Sequence, residues 1–192
     1  PAFSLVERTM WAADVLKEAG LGYDSSIYPF AGRRYGIAGT PRAGHRLANG
    51  LVELPMTVVD WRGRVLPAAG GGYVRYFPYR FSRWAISQVA AAGRPAVAYF
   101  HPYEFEPSRP QLPATAAPVA VPDRLRLAKF NALQGIGRGE AMRRKLRRLI
   151  GDFAFGPLRD IAAAVPESSE LPESSELPES SDLPQSSQVP ET

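Results

Sequence analysis

The chain contains no cysteine. Disulfides, a cysteine nucleophile and thiolate-ligated zinc or iron–sulfur sites are therefore excluded. The compartment stays open, because an extracellular domain can also lack disulfides. Histidine is scarce too. His45 and His101 are the only two, so a metal centre built from several histidines is excluded. No apolar run approaches the roughly 20 residues of a bilayer-spanning helix, and a membrane span is not expected. The chain shows no basic-then-apolar signal segment and opens at Pro1 rather than methionine. The expectation is a fragment of a longer protein.

What remains is 192 residues, 45% of them hydrophobic, enough for one domain with a core. From Pro166 onward the chain changes character. It reads PESSEL, PESSEL, PESSDL, PQSSQV, PET, with proline every six residues from Pro166 to Pro190. This stretch has seven acids, no bases and no aromatic residue. Proline at that density removes backbone donors, and the few Leu and Val residues do not offset the entropy of ordering. A disordered, polyproline-II-leaning acidic tail is expected. A hexapeptide β-solenoid is the alternative, disfavoured by proline in every repeat. Without the tail, 23 bases face 12 acids and the formal charge rises from +4 to +11. That charge draws the body toward polyanions, or the tail folds back and screens it.

The body reads as strands alternating with helices, which suggests an α/β fold. Ser4 and Glu7 have capping-box spacing, Val6, Met10, Ala13 and Leu16 follow at helical spacing, and Gly20 suits a helix C-terminus. A helix over about 5–18 is expected. Tyr23-Asp24-Ser25-Ser26 reads as a strand running into a loop, and 29–50 as an irregular excursion. Leu51–Val59 is β-prone, with Pro55 marking an edge or bulge. Gly70-Gly71-Gly72 reads as a turn or a site of close backbone approach. It lacks the spacing of a phosphate loop. Helices are expected over 80–92, ending at Gly93, and near 122–134, 139–150 and 157–164. Ala96 to His101 reads as a short buried strand stopped by Pro102.

His101 is the first candidate for chemistry. Functional side chains gather at the carboxyl ends of parallel strands, and histidine is suited to proton transfer near neutral pH. A hydrogen-bonded histidine at a strand end fits the position equally well. Asp24 also ends a strand, where it orients a catalytic group or a substrate hydroxyl. An Asx-type turn in Asp-Ser-Ser is the plainer reading. His45 reads as an ordinary loop histidine. Met142, Leu146, Leu149 and Ile150 share one face of a helix whose remainder carries Arg143, Arg144, Lys145, Arg147 and Arg148. An amphipathic surface helix accounts for that pattern. Phosphate or anionic-lipid contact is the sharper reading.

Taken together, PAFSLVERTMWAADVLKEAGLGYDSSIYP, LVELPMTVV, LPAAGGGYVRYFPY, GRPAVAYFHPYEFEP and RRLIGDFAFGPLRD resemble, in order, the C-terminal part of a NodB-type polysaccharide deacetylase of carbohydrate esterase family four. The similarity is to a subgroup with an added C-terminal region, tied to bacterial exopolysaccharide synthesis. The resemblance implies the C-terminal portion of a distorted (β/α) barrel over 1–110, a family-associated helical region over 111–165, and the tail over 166–192. It implies metal-dependent hydrolysis of the N-acetyl amide of a polysaccharide. The metal, usually zinc, activates a water, an aspartate is the base and a histidine protonates the leaving amine.

On this resemblance His101 matches the acid histidine and Asp24 the supporting aspartate of the fourth motif. Tyr99 stands where the family has leucine, beside the acetyl pocket. Pro1-Ala2-Phe3 matches the end of the third motif, whose arginine would precede Pro1. Tyr73 and Tyr103 are substrate-binding candidates, with Trp84 a weaker one that also suits a core. No residue of this chain matches the family's aspartate base, its metal-binding aspartate or its metal-binding H-x-x-x-H pair. The implied partners are N-acetylated polysaccharide and the missing N-terminal part of the same barrel, with no nucleic acid. The chain alone is expected to be inactive. The alternative is a non-catalytic carbohydrate-binding or scaffold module, with Tyr28, Tyr35, Tyr73, Tyr76 and Tyr103 stacking on sugar rings. The polysaccharide, and the choice between bacterial cytoplasm and cell envelope, are not readable from the residues.

Overall fold

The computed structural model describes residues 5–32, 35–106 and 136–167. Pro1–Phe3, Ser4, the helix expected near 122–134 and the repeats beyond Glu167 lie outside the described residues. A 3-10 turn, Glu7–Thr9, leads into helix α1, Trp11–Glu18. Thr9 closes the entry. Its Oγ1 accepts from the Val6 amide and donates to the Val6 carbonyl, both at 3.0 Å. Ala12 and Ala13 are buried, and Ala12 packs with Leu5, Ile27 and Ile37. Gly20, at φ 83°, takes the left-handed conformation that ends the helix.

Strand β1, Tyr23–Asp24, pairs in parallel with β3, Val52–Glu53, and β3 pairs antiparallel with β2, His45–Arg46. The ladder continues past β3 despite Pro55. The Leu54 and Met56 amides donate to the Asp24 and Ile27 carbonyls at 2.9 Å each, so the proline falls where no donor is required. Strand β4, Val58–Trp61, then turns back as β5, Arg64–Pro67. Arg62 and Gly63 both have positive φ in that turn, which suits the right-handed twist of a hairpin. The β-prone stretch 51–59 is thus two strands in two sheets.

Helices α2, Gly71–Tyr76, and α3, Tyr79–Ala91, follow. After a 3-10 turn at Pro102–Phe105 come α4, Glu140–Asp152, and α5, Leu158–Ala163. Tyr28, Leu54, Met56, Val58, Val97 and Ala162 form the main core. A second core joins Val74, Tyr79 and Ile86 to Met142 and Leu149 of α4. Of the expected α4 face, Met142 and Leu149 are buried, while Ile150 is exposed. Lys145 spends its ammonium on α2. Nζ donates to the Val74, Arg75 and Phe77 carbonyls at 2.8–2.9 Å, capping that helix's C-terminal end.

Two expectations are corrected. Ala96–His101 is extended but is no strand, since its single ladder contact is an isolated parallel bridge between Gly70 and Tyr99. Thr57 Oγ1 occupies the Val97 carbonyl at 2.7 Å, and Pro95 and Pro102 bound the segment without donors. Gly70–Gly72 is no open turn, because α2 begins at Gly71. The fold is mixed α/β with small sheets, and the described residues form no closed barrel.

Candidate functional site

The site is built around the bridge where residue 99 meets residue 70. Gly71 N donates to the Tyr99 carbonyl at 2.8 Å. The Tyr28 hydroxyl and the rings of Tyr99 and Tyr73 crowd the side of Gly70 where a Cβ would stand, at 2.7, 2.9 and 3.3 Å. Glycine is required there for space, not for φ. Tyr73 and Tyr35 share a hydroxyl–hydroxyl hydrogen bond of 2.6 Å. Burial pushes the Tyr28, Tyr73 and Tyr99 hydroxyls up. They stay neutral at ordinary pH, and the Tyr28 hydroxyl is buried with no hydrogen-bond partner among the described residues.

His101 emerges beside this cluster. Its ring stacks on Tyr103, with centroids 5.1 Å apart and planes 16° apart, and meets Tyr99 edge-on at 5.3 Å. The imidazole is half-buried. The backbone is fixed from below by Glu104. Its Oε2 accepts from the His101 amide at 3.1 Å, and the Glu104 amide donates to the His101 carbonyl at 3.0 Å. Glu104 is fully buried. A Cβ on Gly71 would overlap its carboxylate. Gly71 is therefore the socket for Glu104, and Glu104 carries His101.

Asp24 occupies a separate corner. Its Oδ1 accepts from Ser26 Oγ at 3.0 Å, the local turn contact expected of Asp-Ser-Ser. Its other oxygen is buried with no partner among the described residues. Asp24, Ser25, Met56, Val97, Tyr99 and Leu158 line a hollow of about 280 Å³. Tyr99 is the link, one side in the hollow with Asp24 and its ring against His101. No hydrogen bond joins His101 to Asp24.

Beneath Asp24 lies Glu53, fully buried. Its Oε1 accepts from the Ser26 and Ile27 amides at 3.2 and 2.9 Å. Desolvation outweighs those two bonds, the Asp24 charge adds to it, and the carboxyl is pushed up to about 8. His45 pairs with Glu53 across the sheet and is buried, not a loop histidine, with Nδ1 3.0 Å from the Ala43 carbonyl. Asp24, Glu53 and His45 thus share one row of the sheet. No group of three or more His, Asp or Glu side chains that could hold a metal occurs among the described residues. The residues do not fit the metal site that the family resemblance implies, and no chemistry is derived through one.

Among the sequence candidates, Tyr73, Tyr99, His101 and Tyr103 come together. Asp24 reaches them only through Tyr99. Tyr28, 2% exposed, is core and not a sugar platform, whereas Tyr76 and Tyr103 are exposed. Trp84 packs against the Val59–Ala68–Ala85 cluster, as a core residue would. Glu53 and Glu104 gave no sequence signal. Only the neighbouring glycines hinted that something approaches closely.

A family model described as a domain of unknown function (DUF3473) matches residues 25–163, more than two thirds of the chain. This domain is associated with polysaccharide deacetylase-like proteins. No curated protein and no solved structure matches.

The adjacent glycines give a paired test. Gly71→Ala must displace the Glu104 carboxylate and is expected to cost about 1–3 kcal/mol in urea unfolding. Gly72→Ala meets nothing within 4 Å and should stabilise α2 by up to about 1 kcal/mol. Glu53 gives a pH test. Its folded pKa, about 8, lies above the ordinary 4.5. The folded state therefore holds the proton more tightly, and this stabilisation is complete below pH 4.5. It falls by roughly 1.4 kcal/mol per pH unit as pH rises, and is lost above pH 8. Stability measured against pH should slope down in that window for the native chain and flatten in Glu53→Gln.

Proposed function

The chain belongs to this domain family, and from that premise we propose that it forms part of a hydrolase removing acetyl groups from the amide nitrogens of an N-acetylated polysaccharide. The observation that carries the reading is the placement of His101. It is a half-buried imidazole held on a hydrogen-bonded turn, against the rings of Tyr99 and Tyr103, and Tyr99 also lines the hollow that holds Asp24. In this reading His101 is the general acid that hands its proton to the departing amine as the carbon–nitrogen bond breaks. Stacking on Tyr103 holds the imidazole plane. Tyr99, in the place of the family's leucine, narrows the acetyl pocket and presents a hydroxyl to it. Tyr73 borders the groove from α2.

The fold reading goes with it. The two small sheets are taken as parts of a distorted (β/α) barrel whose remaining strands, and whose metal-binding side chains, belong to sequence outside these residues. The nucleophile is supplied there. What this chain supplies is the acid, the orientation of the leaving group and the exclusion of water by the tyrosine wall.

The test is acetate release from N-acetylglucosamine oligomers by the longer protein that carries both parts. His101→Ala should lower turnover by about 10²-fold or more with little change in KM. Near-native turnover in that variant would remove His101 from the role. Saturable, metal-independent oligosaccharide binding by the 192 residues alone, unaffected by His101→Ala and with no hydrolysis by the longer protein, would favour a binding module instead.

A further inference from the structure

Tyr103 is the plate on which the His101 ring rests, yet it is itself 42% exposed. Its turn closes loosely on that side. The Glu104 amide reaches the His101 carbonyl at 3.0 Å, but the Glu106 amide reaches the Tyr103 carbonyl only at 3.4 Å, longer than an ordinary N–H···O bond. An exposed ring on such a turn exchanges between rotamers unless something outside the turn restrains it.

The restraint comes from the helical region that follows in sequence. Arg138 Nε and Nη2 both donate to the Tyr103 carbonyl, at 3.0 and 2.6 Å. The guanidinium also lies over the Tyr103 ring, 5.4 Å from its centroid, within the roughly 6 Å of cation–π contact. One planar group thus holds both the backbone and the ring of the same residue. A lysine ammonium has neither the fork nor the plane to do so.

Arg138 is anchored in turn. A Cβ on Gly137 would stand 2.7 Å from the Arg75 carbonyl of α2, so the chain before Arg138 lies directly on that helix. The Gly139 amide, on its other side, donates to the Glu104 carbonyl at 2.9 Å. Lys145 then caps the C-terminal end of α2. The start of α4 is therefore fastened to both segments that build the site, and Arg138 is the residue that extends this hold to Tyr103.

We propose that Arg138 is a positioning residue for the His101 acid, acting through Tyr103. The region carrying α4 then completes the site as well as extending the fold. The kinetic part of this rests on the hydrolase reading, and the geometric part does not. Arg138 touches no reacting atom and keeps its own proton throughout. It fixes Tyr103, Tyr103 fixes the imidazole plane, and that plane sets the direction from which the proton reaches the departing nitrogen.

Two variants test it, Arg138→Lys, which keeps the charge and loses the fork, and Arg138→Met, which keeps a stem and loses the charge. In the full chain, both should lose the nuclear Overhauser cross-peaks between His101 and Tyr103 while keeping those between His101 and Tyr99. In the longer protein, both should lower kcat for acetate release from N-acetylglucosamine oligomers by about 10- to 10²-fold, with little change in KM. In a His101→Ala background neither should lower it further, because a residue acting through another shows no separate effect once that other is gone. Retained His101–Tyr103 cross-peaks in both variants would overturn the proposal. So would equal loss of the Tyr99 cross-peaks, which signals general loosening, or a full kcat loss in the His101→Ala background, which places the action of Arg138 elsewhere. Unchanged kcat in both variants overturns the positioning role and leaves the hydrolase reading standing. No acetate release by the native longer protein overturns the hydrolase reading and the kinetic role with it, and the cross-peaks then decide the Arg138 clamp separately.

Discussion

The carboxylate of Glu104 sits where Gly71 has no side chain, and the candidate site hangs on that contact. It joins two segments more than thirty residues apart. From one side it fixes the start of α2. From the other it holds the His101 amide and so the turn at Pro102–Phe105. The Gly139 amide, at the entry to α4, donates to the Glu104 carbonyl at 2.9 Å. Burying a carboxylate costs several kcal/mol unless hydrogen bonds compensate it. A fold that retains one at this junction has few ways of placing the turn elsewhere. The same logic applies at Glu53, where two amides and the neighbouring Asp24 surround a second buried carboxyl.

These two buried acids divide the labour with the tyrosines. Glu104 and Glu53 each accept from backbone amides through one oxygen, while the other oxygen of each is buried with no partner among the described residues. The hydroxyls of Tyr28, Tyr73 and Tyr99 are neutral and partly dehydrated, which favours orientation over proton transfer. His101 is left as the half-exposed titratable side chain of the cluster. Its stacking on Tyr103 and edge contact with Tyr99 restrict the ring to one plane, which the proposed role of a general acid would require.

Helical periodicity was legible. The expected 80–92 and 139–150 segments appear as Tyr79–Ala91 and Glu140–Asp152, and Gly20 and Gly93 take the positive φ that ends a helix. Asp24 does end a strand, and its turn contact with Ser26 is the local chemistry of its sequence. What could not be read was tertiary. Three consecutive glycines argued for a turn, yet two of them are small because Tyr28 and Glu104 press on them. Ala96–His101 has strand composition, but its Val97 carbonyl belongs to a threonine hydroxyl. Buried glutamates leave no trace in composition, since carboxylates are ordinarily exposed. Position at apparent strand ends, and then the family resemblance, singled out His101 and Asp24, but not the residues that hold them.

The most direct measurement is the nuclear Overhauser spectrum of the two imidazoles, which a chain with only His45 and His101 resolves cleanly. Cross-peaks from the His101 ring to both Tyr99 and Tyr103 are expected. They should persist in Glu104→Gln, which can still accept the His101 amide, and vanish in Glu104→Leu, which cannot. Cross-peaks absent from the native chain, or unchanged by Glu104→Leu, would contradict a site held in place by the buried carboxylate.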